Sequence, residues 1–246
     1  MRKIIIALLF AALPALSVAA EGNLHLDDAH VNLSDKASLQ RGARLFVNYC
    51  LSCHSAAYMR YNRMAKDIGL TDKEVKNNML FASDKVGDTM TVAMTSAEAA
   101  KWFGKAPPDL TVRARARGAD WIYTYLRSFY LDPKKPTGVN NTVFKDVGMP
   151  DVLWELEGLK APVYKTVENA EGDKEKVIDG FEMVKKGKMT QAQFDGAMHD
   201  LTNFLVYMAE PARLQRVGMG IGVEIFLAFF FIVAYMLKKE YWKDVH

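Results

Sequence analysis

Apolar residues recur at helical spacing at Leu39, Ala43, Phe46 and Val47, just after Ser34 and Asp35, and predict a helix that leads into Cys50. Near the other end, Thr190 is placed to cap a helix whose Phe194, Ala197, Met198, Leu201, Phe204, Leu205 and Met208 line one face. Pro211 interrupts that pattern. Between the two, Asp120 to Tyr130 (DWIYTYLRSFY) reads as a short aromatic helix, and Asp132 to Pro150 shows little regular periodicity. Glu157 to Lys188 is polar and charged, with Glu171-Gly172-Asp173 as a turn, and reads as a surface excursion in the form of a hairpin. No internal repeat is present. The pattern predicts a mainly α domain with long loops.

The two ends carry different apolar runs. Residues 1–20 (MRKIIIALLFAALPALSVAA) start with Arg2 and Lys3, continue through an apolar stretch from Ile4 to Leu16 and finish in Val18-Ala19-Ala20. That is the layout of a secretory signal peptide cut after Ala20 or Ala19. The alternative, a retained anchor, is disfavoured because the run is short for a span of roughly 20 residues. Val217 to Leu237 holds 21 residues with one charge, Glu224, before Lys238 and Lys239. At about 1.5 Å per residue it crosses a ~30 Å hydrocarbon layer. Tyr235 and Trp242 mark one interface, and Arg213 and Arg216 the other. A buried core helix is the alternative, and Phe229-Phe230-Phe231 argues against it. The expected organisation is a signal peptide over 1–20, an exported domain over 21–212, a transmembrane anchor over 213–237 and a cytoplasmic tail over 238–246. Gly218 and Gly222 form a small-xxx-small pair, and Glu224 lies inside the span, either paired with a neighbouring subunit or kept wet near the interface. Both features point to company for this helix.

Composition changes the picture little. Of 246 residues, 50% are hydrophobic and 11% aromatic, so a core can form and wholesale disorder is excluded. Lys+Arg 32 against Asp+Glu 29 becomes 30 against 29, or +1, once Arg2 and Lys3 leave with the signal peptide. Such a chain has no charge-driven case for nucleic-acid binding.

The chemistry sits in one run, Cys50-Leu51-Ser52-Cys53-His54, which contains both cysteines of the chain. It is the attachment signature of a c-type haem. Two thiols a helical turn apart can each form a thioether to one porphyrin edge, and the following imidazole then becomes an axial ligand. A redox dithiol would need a βαβ context that is absent. A zinc site would need further ligands, yet His25, His30, His199 and His246 show no paired spacing. One motif implies one haem. For the sixth ligand, a methionine raises the iron potential where a histidine lowers it. Met149, in Val147-Gly148-Met149-Pro150, stands out: Gly148 allows close backbone approach and Pro150 stiffens the segment. Met59, Met64, Met79, Met90 and Met94 are the other candidates, or core filler.

Taken in order, several fragments resemble the cytochrome c1 family, the haem c subunits of bacterial ubiquinol–cytochrome c reductase, the cytochrome bc1 complex. They are Cys53-His54-Ser55 with Tyr58, Arg60 and Tyr61; Pro107-Pro108-Asp109-Leu110; Arg113-Ala114-Arg115 leading to Gly118-Ala119-Asp120-Trp121; Gly148-Met149-Pro150; Met208-Ala209-Glu210-Pro211; and the single C-terminal anchor. Position 121 is more usually tyrosine in the family. The resemblance implies a class I c-type cytochrome domain with long loop insertions, closed by first and last helices packing across each other. It implies Cys50 and Cys53 as thioether cysteines, His54 as proximal and Met149 as distal ligand. Arg115 would meet a haem propionate, or be one exposed charge among Arg113, Arg115 and Arg117, and Pro107 and Pro108 would wall the cleft. It implies a redox subunit with no catalytic acid or base of its own, on the periplasmic side of the inner membrane. Its partners would be a cytochrome b subunit, a Rieske iron–sulfur protein and a soluble or anchored cytochrome c acceptor, within a dimeric complex. A free-standing anchored cytochrome feeding a terminal oxidase, and a haem-based ligand sensor with an open sixth site, are the alternatives.

Overall fold

The computed structural model describes residues 24–168 and 173–244. The expected signal peptide, residues 1–20, lies outside them. In chain order the elements are α1 (Lys36–Leu45), β1 (Ala56–Arg60), α2 (Tyr61–Ile68), α3 (Asp72–Asn78), β2 (Thr89–Met90), α4 (Ser96–Phe103), α5 (Arg113–Arg117), α6 (Ala119–Leu126), β3 (Phe129–Leu131), β4 (Val139–Asn141), α7 (Trp154–Glu157), β5 (Gly158–Glu168), β6 (Lys174–Lys186), α8 (Gln191–Ala209) and α9 (Arg213–Tyr241). Helices dominate. The strands form three two-stranded antiparallel pairs, β1–β2, β3–β4 and β5–β6.

α1 and α8 form the frame. The Asp35 side chain accepts from Ser38 N and starts α1. Thr190 and Gln193 close a capping box at the start of α8, where the periodicity places it. The two helices cross so closely that a Cβ on Gly42 would lie 2.1 Å from the Asp200 carbonyl oxygen. Around that crossing Phe46 packs on Phe204 with ring centroids 5.6 Å apart. Asn203 Nδ2 donates to Ser38 Oγ at 2.9 Å, and Arg41 grips Asp200 through two bonds of 2.6 and 2.9 Å. The predicted face of α8 is buried or packed against the core, as are Met59, Met64, Met79 and Met90.

Beyond Leu45 the helix widens into a π turn, Phe46–Cys50, closed by Leu51 N on Phe46 O at 3.0 Å. Such turns recur at functional sites. Here it delivers Cys50.

One segment differs from expectation. The aromatic helix ends at Leu126, and Phe129–Leu131 becomes a strand paired with Val139–Asn141. Arg127 fixes the break by binding Asp195 on α8 and Asp27, each at 2.7 Å. α9 continues past Leu237 as far as Tyr241. The charged excursion is an antiparallel hairpin, Gly158 facing Lys186 at its base and Glu168 facing Lys174 at its tip. Among the described residues α9 is the one helix long and apolar enough to cross a membrane, and none of it is buried in the chain.

Candidate functional site

Cys50, Cys53 and His54 occupy a single turn. Cys53 N and His54 N both donate to Cys50 O, at 3.1 and 2.8 Å. Cys50 is buried in the main core, Cys53 is half-buried, and the two are not joined by a disulfide. Burial, helped by the neighbouring Cys53, pushes the Cys50 thiol up to about 12. A redox dithiol of the thioredoxin kind needs the opposite, a lowered thiol pKa. Among the described residues no three His, Cys, Asp or Glu side chains converge as a metal site, which leaves the zinc alternative without ligands.

His54 is locked from the side. Its Nδ1 lies 2.8 Å from the Pro108 carbonyl oxygen. A carbonyl only accepts, so Nδ1 carries the proton and Nε2 keeps its lone pair. Burial holds the imidazole below its ordinary value; the Pro108 bond opposes this, Arg113 adds to it and Asp109 opposes it. The ring is therefore neutral at pH 7. Asp109 builds the support: its carboxylate accepts from Ala57 N and Thr111 N, both at 2.8 Å, while Leu110 N bonds Ser55 O at 2.8 Å. These bonds lay the Pro107-Pro108-Asp109 segment along the chain that leaves His54.

Met149 is held on another segment. Its sulfur accepts from the Tyr125 hydroxyl at 3.3 Å, and its side chain packs against a small cluster of Phe129, Val139 and Val147. Tyr125 also packs against the main core that contains Cys50. The loop reaching Met149 is organised by two buried asparagines that sequence reasoning missed. Asn140 Oδ1 accepts from Asn141 N and Asp146 N, at 2.9 and 2.8 Å. Asn141 Oδ1 accepts from Val143 N and Phe144 N, and its Nδ2 donates to Tyr125 O at 2.8 Å. Asp146 takes a φ of 61°, and its bond to Asn140 offsets that strain.

The structure thus brings Cys50, Cys53, His54 and Pro108 together and fixes Met149 on the Tyr125 hydroxyl. Pro107 is half-buried and Pro108 exposed beside them. Arg115 pairs with Glu210 at 3.2 Å, at the junction of α8 and α9, which Arg216 also reaches. Arg113, on the same short helix, is the arginine whose charge bears on His54. The sequence reading assigned no role to Asp109, Tyr125, Asn140 or Asn141, whose bonds to Ala57, Met149, Asp132 and Tyr125 reach across gaps in sequence.

The donor set suits haem c. A turn that presents two thiols and then a neutral imidazole with a free Nε2 could hold a porphyrin by two thioethers and an Fe–N bond, and a thioether such as that of Met149 has the softness to serve as a further iron ligand.

The sequence comparisons agree. The family model described as the Cytochrome C1 family matches residues 27–245. A protein named cytochrome c1 from Allochromatium vinosum is 49% identical, with 100% of each chain covered. One named ammonia monooxygenase gamma subunit from Nitrosomonas europaea is 43% identical over 99% of this chain and 97% of its own. A cytochrome c1 from Rhodobacter capsulatus is 24% identical over 98% and 97%. With its cysteines, imidazole and thioether in these places and nearly its whole length matched, the chain belongs to the cytochrome c1 family.

Proposed function

We propose that this chain is an electron-transfer subunit of a quinol-oxidising cytochrome bc1 complex. In this role it takes electrons from a Rieske iron–sulfur protein and passes them to a soluble or anchored cytochrome c. The observation that carries the reading is the His54 lock: a neutral imidazole, its Nδ1–H on Pro108, directly after the buried Cys50 and half-buried Cys53. Haem c, when bound, supplies a one-electron iron couple. Cys50 and Cys53 would tether it, His54 Nε2 and the Met149 sulfur would ligate its iron, and Pro107 and Pro108 would wall the cleft. Arg115, or Arg113 in its place, would meet a haem propionate. No side chain here has to act as acid, base or nucleophile.

The apolar helix α9 suits a single-pass anchor, with residues 21–212 on the periplasmic side of the inner membrane and 238–246 in the cytoplasm. A cytochrome b subunit and dimeric assembly follow from the bc1 reading. The name of the Nitrosomonas europaea relative supports a second assembly, one built around ammonia oxidation. Co-purifying b-type haem separates the two.

Carbon monoxide tests the ligand set. The reduced wild type excludes it, whereas Met149→Leu binds it and Met149→His lowers the midpoint potential. Rapid binding by the wild type means an open sixth site and a sensor. Exclusion by Met149→Leu means another residue is the ligand.

A further inference from the structure

The Tyr125 hydroxyl makes one hydrogen bond among the described residues, to the Met149 sulfur at 3.3 Å. A thioether is a weak acceptor, so a phenol commits to it only where the ring is held in place. Here it is held on three sides. Trp121 stacks on the Tyr125 ring at 4.9 Å and 10°, and Phe129 meets it edge-on at 5.2 Å. Its backbone carbonyl accepts from Asn141, the residue that also folds the loop toward Met149. The Arg117 guanidinium closes the far face of the stack, 5.0 Å from the Trp121 centroid. One element thus positions the donor, and the same asparagine ties that element to the acceptor's loop.

We propose that Tyr125 is a positioning residue whose hydroxyl fixes the orientation of the Met149 thioether and raises the midpoint potential of the iron it ligates. This rests on Met149 being the distal ligand. Sulfur has two lone pairs. With one accepting the Tyr125 proton in a hydrogen bond, only the other is free to face iron, which sets the handedness of the ligand. The bond also withdraws density from sulfur, which makes it a poorer donor. Oxidised iron depends on that donation more than reduced iron does, so the reduced form gains. No atom is transferred: one electron enters and leaves, and Tyr125 keeps its proton.

The test compares Tyr125→Phe with the wild type as haem-loaded full-length protein in mild detergent. Phenylalanine keeps the ring, the stack and the edge contact, and removes only the donor. The expected midpoint potential falls by an amount equal to about a three- to tenfold change in the redox equilibrium, 59 mV per tenfold for one electron. The methionine-to-iron charge-transfer band persists but moves, and the reduced form still excludes carbon monoxide. Tyr125→Leu, which also lacks the hydroxyl, shifts the potential in the same direction should the phenylalanine variant fail to accumulate. A potential and band position unchanged in both variants overturns the proposal. Met149→Leu separates the two failures: if it retains the band, the ligand assignment itself is wrong; if it loses the band while the Tyr125 variants match the wild type, only the role of Tyr125 is.

Discussion

His54 and Glu157 are both half to fully withdrawn from water, and their neighbours set opposite outcomes. The His54 ring has a carbonyl to donate to and stays neutral, with its second nitrogen free. Glu157 is buried beside Lys160, which also donates to Arg127 O at 2.8 Å. Burial pushes its carboxyl up to about 7; Lys160 pulls it down, and Asp151 and Asp195 push it further up. A folded-state value above the unfolded one means that the folded protein holds the extra proton between pH 4.5 and 7. The stability from this group is therefore full below about pH 4.5 and is lost as pH rises through 7. Compared with Glu157→Gln, the wild type should lose about 1–3 kcal/mol of additional unfolding free energy between pH 4.5 and 8. Denaturant titrations of both proteins at several pH values read this directly, and parallel profiles would contradict it. At this scale the sequence disclosed what is contiguous. Cys50 to His54 declares itself by spacing, and Met149 was singled out by its glycine and proline neighbours. Asp109 and Asn141 did not, because their partners Ala57 and Tyr125 lie 52 and 16 residues away.

Helix crossing is the matter at the scale of elements. The periodicities that predict α1 and α8 are strong because each helix buries one stripe against the other, so both were legible, caps included. What the pattern did not show is how near they come. Gly42 permits the contact, since its missing Cβ would sit 2.1 Å from Asp200 O and 2.7 Å from Phe204 Cβ. Gly42→Ala should push the helices apart and cost about 1–3 kcal/mol, the usual range for overpacking a core. Thermal unfolding of the haem-loaded protein measures it, and a change within about 0.5 kcal/mol would show that the crossing relaxes freely. The aromatic run Asp120 to Tyr130 was misread in its second half for a physical reason. Phe129, Tyr130 and Leu131 fit a helix face or a strand equally well, and long-range pairing with Val139–Asn141 decides between them. The hairpin beyond Glu157 was legible through its charged, polar run, while residues 171 and 172 of its expected turn lie outside the described residues. Its base depends on Gly158, whose φ of 108° is open to glycine alone.

As a whole, the molecule joins a helical domain that closes on itself to a 29-residue helix none of whose residues is buried in its own chain. An apolar helix left wholly uncovered calls for lipid and for neighbouring helices. The domain holds Cys50, Cys53 and His54 in one turn and fixes the Met149 thioether on the Tyr125 hydroxyl, the donors that the proposed haem would use. Both halves point to a subunit that carries electrons for an assembly. The most direct measurement is a reduced-minus-oxidised absorption spectrum of the tagged full-length protein drawn from membranes in mild detergent. The account predicts a c-type band together with co-purifying b-type bands, with the c-type band absent when Cys50 and Cys53 are replaced. A c-type band alone, under conditions that preserve complexes, would contradict subunit membership. No haem at all in the exported protein would contradict the reading of residues 50–54.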